Sequence, residues 1–182
     1  MLFRSRKIGV GSGQLRLLGA LITSRLSAHF ARVGLDPSQF GFLSTSACED
    51  AVWLTHLALE QARLGKRDIY GLYVDIRTAF STVPHAVVIR ALVCLGVKGR
   101  LLRLIIHILT TTSVTMVQGQ YALEPITVIR GLVEGLVPAP LLWVAVFNAP
   151  LVQLTRNALL DVGAAHAPLQ RLRPVFGGMP RS

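Results

Sequence analysis

Residues 69–85, Ile-Tyr-Gly-Leu-Tyr-Val-Asp-Ile-Arg-Thr-Ala-Phe-Ser-Thr-Val-Pro-His, constrain the fold more than any other stretch of this chain. Over 69–76, Tyr70, Leu72, Val74 and Ile76 alternate with Tyr73 and Asp75. A period of two puts the first set on one face and the second on the other, which predicts a β-strand. Pro84 lacks a backbone N–H and so suits the first position of a helix, which should end before Gly96. The stretch is therefore expected to run strand, turn, helix. It carries one acid, Asp75, at the strand end and one bulky aromatic, Phe80, in the turn.

The flanks read mostly as helix. Leu15, Leu18, Ile22, Leu26 and Phe30 recur at helical spacing and predict a helix over 14–33, ended by Gly34-Leu-Asp-Pro37. Ser46 and Glu49 fit a capping box, in which each side chain satisfies an orphan backbone donor of the other. The helix it opens should run to about Leu64, with Gly65 as its stop. Leu101, Leu102, Ile105, Ile108 and Leu109 predict a helix over about 98–111. Residues 113–118 and 125–130 read as paired strands around Gly119, and Pro140 to about Leu160 as an apolar helix. Helices followed by strand, helices, hairpin and helix make an α+β pattern.

Composition adds three constraints. Apolar residues make up 52% of the 182, ample for a core, while charged residues are only 15%. The 19 Lys and Arg exceed the 9 Asp and Glu, giving +10, a balance that favours a polyanionic partner, nucleic acid or an acidic membrane. Cys48 and Cys94 show no disulfide or metal spacing and read as two buried thiols in a reducing compartment. Mean hydropathy is +0.53, and 135–155 carries no charge. Yet Pro138, Pro140, Pro150, Asn148 and Gln153 interrupt it, so no transmembrane span is expected. The first 35 residues hold six basic residues and no acid, as an organelle-targeting segment would.

Four segments taken together resemble one family. Tyr73-Val-Asp-Ile-Arg-Thr-Ala-Phe80 is similar to the first catalytic motif of a reverse transcriptase palm. Arg6-Lys-Ile-Gly-Val10 with Arg25-Leu26, and Gln39-Phe-Gly-Phe42 with Glu49-Asp-Ala51, resemble the fingers of LINE-type (non-LTR) reverse transcriptases. Gly131-Leu-Val-Glu-Gly135 with Pro140-Leu-Leu142 resembles the next palm motif. The resemblance implies the fingers and partial palm of a right-hand polymerase, helix-rich with an incomplete palm sheet. It implies RNA-directed DNA synthesis on an RNA template and a DNA primer, with Mg2+, in the nucleus or cytoplasm. By the same resemblance Asp75 is the catalytic residue and metal ligand. Phe80 screens the sugar, and Gly131 and Gly135 shape the nucleotide pocket. Arg6, Lys7 and Gln39 contact nucleic acid.

The same residues have plainer readings. Asp75 would cap the turn after a strand, the Phe40 and Phe42 pair would anchor a buried loop, and the glycines would form a turn before a helix. The chain also departs from the pattern. Lys7 replaces a proline, Leu43 an arginine, Ser81 a second Asp, Glu134 a glutamine and Ala139 a serine. A carboxylate at 134 repels phosphates where a neutral amide would hydrogen-bond them.

No Asp-Asp pair, the third motif of the family, occurs in the chain. Two metal ions in such sites lie roughly 4 Å apart. Unit charges at that spacing repel by about 4 kcal/mol at an effective dielectric near 20, and two dications about fourfold more. One carboxylate does not offset that. The expectation is a domain over 1–155 that breaks off after the second palm motif, followed by an unrelated or disordered tail over 156–182, without polymerase activity. A non-catalytic RNA- or DNA-binding module is the alternative, and a hydrophobic membrane-associated protein the third reading.

Overall fold

The computed structural model describes residues 9–43, 48–71 and 73–165. Helix α1 spans Gly13–Val33. Ser12 caps its start by accepting the Leu15 N–H, and Gly34 ends it at φ +82°. A left-handed backbone there suits glycine because no Cβ opposes it. Helix α2 spans Cys48–Leu64, so its expected capping Ser46 lies outside the described residues. Its stop is shifted by one. Lys66, not Gly65, takes the left-handed position, and Arg67 N–H closes on Ala62 O.

A one-turn helix, α3 (Ala79–Thr82), precedes α4 (His85–Cys94) and α5 (Gly99–Thr111). Pro84 sits one position earlier than expected, as the N-cap of α4 rather than its first helical residue. Four short strands follow: β1 (Ser113–Val114), β2 (Val117–Gln118), β3 (Tyr121–Ala122) and β4 (Ile126–Thr127). β1 pairs antiparallel with β4, and β2 with β3 inside it. The expected hairpin around Gly119 is thus present, broken into two nested ladders. Helix α6 spans Ala139–Ala165 and so continues through Gly163, past its expected end near Leu160. Pro150 lies inside it and cannot donate to the Val146 carbonyl.

The core is where four helices meet. Ile22, Leu26 and Phe30 of α1, Val88 and Leu92 of α4, Ile105, Ile108 and Leu109 of α5, and Leu141, Leu142 and Ala145 of α6 are all buried together. Val83, Val97, Leu132 and Leu136 close it from the connections. Two polar ties cross this core. Asn148, buried on α6, accepts the backbone N–H of Asp36 at 2.8 Å. His29 on α1 donates from Nε2 to Leu95 O at the end of α4, 2.8 Å away, and Arg32 donates to its other ring nitrogen. No helix among the described residues is long and apolar enough to cross a membrane.

Two expectations are corrected. Residues 69–76 form no strand among those described, and both faces are open: Tyr70 and Tyr73, predicted to lie on opposite faces, are 92% and 91% exposed. Alternation supplies a strand's faces, but its backbone N–H and C=O groups also need a paired neighbour, and none lies there among the described residues. Helix α2 forms where its capping box and periodicity predict, but it has no buried residue. Its periodicity is intact, but Val52, Trp53 and Leu57 are exposed. Cys48 and Cys94 are both exposed, not buried, because each lies on the outward side of its helix.

Candidate nucleotide site

The residues before α4 and the glycine segment before α6 are bonded together along their backbones. Leu132 N–H donates to Phe80 O at 2.6 Å and Gly131 N–H to Val83 O at 2.8 Å. The side chain of His85 donates from Nε2 to Gly131 O at 2.9 Å. This contact is only possible at glycine. A Cβ on residue 131 would sit 2.6 Å from Ser81 O, and φ is +87°. A heavy atom that close to a carbonyl oxygen forces the backbone apart.

Phe80, half-buried, lies in this junction. Its ring meets Trp143 of α6 at 5.6 Å, and Trp143 stacks on Phe147 at 6.0 Å. The ring of Phe80 therefore meets the start of α6, while its backbone carbonyl is bonded to the glycine segment. Rigid placement of this kind is what a side chain needs to exclude one ligand atom and admit another. The second glycine, Gly135, serves a different neighbour. Its φ is +100°, and a Cβ there would fall on the carbonyl oxygen of Gly9. Gly9 N–H in turn donates to Glu134 O at 2.6 Å.

Asp75 is exposed, in the irregular stretch that leads into this junction. Thr78 follows it at φ +52°, a left-handed position that a β-branched side chain rarely adopts. Among the described residues no three of His, Cys, Asp and Glu gather where they could hold a metal ion. One exposed carboxylate does not fit the donor set of a paired-magnesium site, so no chemical step is derived through that metal. Asp161, the acid of the last part of the chain, belongs to α6. Gln39 is buried, and its Oε1 accepts the Gly41 N–H at 3.2 Å, so it ties its own loop. Arg6 and Lys7 lie outside the described residues.

The junction thus brings Phe80 and Gly131 together, with Gly135 one turn away in the chain, and leaves Asp75 outside the bonded cluster. Sequence reasoning missed His85 and Trp143. Neither carries a local signal, because His85 bonds a residue 46 positions away and Trp143 sits in a run that is apolar throughout. The basic residues that the sequence offers for nucleic acid in 63–77 and 90–103 lie in a charge asymmetry. Between Asp75 and Glu124 there is no acid, while Arg77, Arg90, Lys98, Arg100 and Arg103 are all exposed. None of the five pairs with a carboxylate among the described residues.

A family model described as reverse transcriptase (RNA-dependent DNA polymerase) matches residues 4–166. A retrovirus-related Pol polyprotein from type-2 retrotransposable element R2DM of Drosophila melanogaster is 26% identical over 159 residues. That alignment covers 87% of this chain and 14% of the Pol polyprotein, so the chain spans about one seventh of its relative. No solved structure matches.

Proposed function

Because the chain belongs to the reverse transcriptase (RNA-dependent DNA polymerase) family, as a domain of the LINE type, we propose that 1–155 form the fingers and first part of the palm of such an enzyme. The activity of that enzyme is DNA synthesis on an RNA template from a DNA primer. The observation that carries the reading is the backbone junction between Phe80–Val83 and Gly131–Leu132, which joins two motifs about fifty residues apart. In this reading the Phe80 ring meets the sugar of an incoming deoxynucleotide, where a 2′-hydroxyl would collide. The glycine segment forms the adjoining wall, because only residues without a Cβ let the backbone come that close. Asp75 is the metal-binding carboxylate of the intact enzyme.

These 182 residues by themselves incorporate no nucleotide. The family's reaction uses a divalent metal, and stabilising two such ions takes more than the one carboxylate at 75. Glu134 adds a negative charge beside the pocket and weakens triphosphate binding further. What remains is nucleic-acid binding, favoured by the exposed Arg90, Lys98, Arg100 and Arg103 in a segment without acids. Equilibrium binding of a template–primer, measured with and without primer extension, tests this. Salt-sensitive binding with no extension supports it. Binding that does not respond to salt contradicts it.

A further inference from the structure

The peptide group of Gly131 is held entirely by residues 80–85. Its N–H goes to Val83 O, its carbonyl takes the His85 ring, and the next amide, Leu132, goes to Phe80 O. Two of the three bonds are backbone to backbone and would form with any sequence that fits. The third depends on one side chain. A carbonyl only accepts, so the proton lies on Nε2 of His85, and both the neutral and the charged ring can supply it.

We infer that His85 is a positioning residue of the nucleotide pocket. By holding Gly131 O it fixes the glycine wall against Phe80, and through that spacing it sets the preference for deoxyribose over ribose. The inference rests on the proposed reading that Phe80 and Gly131 face the nucleotide. Phe80 has its ring against Trp143 and its backbone carbonyl bonded to Leu132 of the glycine segment. His85 is the side-chain bond in that clamp among the described residues. If it is lost, Gly131, which is buried, keeps its N–H partner but not its carbonyl partner. The wall is then free to shift relative to Phe80, and a 2′-hydroxyl is excluded less strictly. A histidine that merely stabilised the start of α4 would affect folding and leave sugar preference alone.

The test uses the full chain in a Trp53→Phe background, which leaves Trp143 as the reporter of the two tryptophans. His85→Leu removes the donor. His85→Gln keeps a donor, because the glutamine Nε2 reaches about as far from Cβ as the histidine Nε2 does. Two quantities are read: acrylamide quenching of Trp143, and the ratio of affinities for dGTP and GTP with magnesium in equilibrium dialysis. His85→Leu is expected to raise quenching and to reduce the deoxy-to-ribo ratio by about threefold to tenfold, the factor one hydrogen bond carries. His85→Gln is expected to restore both. An unchanged ratio in folded His85→Leu overturns the inference, as does a ratio that glutamine fails to restore. Should His85→Leu not fold, His85→Gln decides: a retained ratio supports the role and a lost one removes it. If neither nucleotide binds the parent chain, the proposed pocket itself fails. Quenching that rises in His85→Leu and returns in His85→Gln then separates a sound clamp from a wrong assignment of the pocket, and quenching that stays flat overturns the clamp too.

Discussion

Gly9 donates its backbone N–H to the carbonyl of Glu134 across 2.6 Å, and that bond lays the first described residues directly against Gly135. A residue near the start of the chain and one near its last helix thus share a backbone contact. The approach is possible because Gly135, the neighbour of Glu134, has no Cβ to meet the Gly9 carbonyl.

Gly135→Ala is therefore expected to destabilise more than a left-handed alanine alone would. Gly119 gives the control. Its φ is also positive, +61°, yet a Cβ there meets nothing within 4 Å. Gly119→Ala should cost about 1–2 kcal/mol from backbone strain, and Gly135→Ala clearly more, because the Gly9 segment must also move. Urea denaturation of both variants gives the comparison. Equal costs would mean that the Gly9 contact holds nothing in place.

Core and surface leucines should separate sharply. Leu92 on α4 is fully buried, so Leu92→Ala is expected to cost about 2–5 kcal/mol. Leu59 on α2 is 51% exposed. Leu59→Ala should stay within about 0.5 kcal/mol. Denaturation midpoints read the difference, and a large loss at Leu59 would mean that α2 is covered in solution.

Asn148→Leu should destabilise although it makes α6 more apolar. The change leaves the buried Asp36 N–H without the acceptor that now lies 2.8 Å away. An unpaired buried donor costs about 1–3 kcal/mol. The same measurement checks it, and a stabilised variant would show that this bond contributes nothing.

Much of this was legible in the sequence, and the failures have physical causes. Helix α1 and helix α5 follow directly from Ile22, Leu26 and Phe30 and from Ile105, Ile108 and Leu109, because each pattern meets a facing helix and is buried. Residues 69–76 and α2 have patterns just as regular, but periodicity names a face and not the partner that covers it. The junction at the site was half legible. The family resemblance assigns Phe80 and Gly131 to one nucleotide pocket, whereas the backbone junction between them, the His85 bond and the Trp143 ring contact depend on three-dimensional approach. Asn148 reads in sequence as an interruption of an apolar run, and in the fold it is the group that satisfies a buried amide.

Charge should govern nucleic-acid binding through α5. Arg100 and Arg103 lie on its exposed side, with no acid anywhere on the helix. If both contact phosphates, replacing each with Gln should make the slope of log affinity against log salt shallower by about 0.7–0.9 per residue. A slope that does not change in the double variant would place the binding surface elsewhere.

On the function proposed above, the chain binds template–primer without extending it. RNA-templated primer extension by the purified chain, with deoxynucleotides and magnesium, tests that claim most directly when run beside Asp75→Asn. The account predicts no product above background from either protein, with template–primer binding equal in both or slightly tighter in Asp75→Asn, which loses a negative charge. Extension by the parent chain that disappears in Asp75→Asn would contradict it, because it would require a second metal ligand working with Asp75.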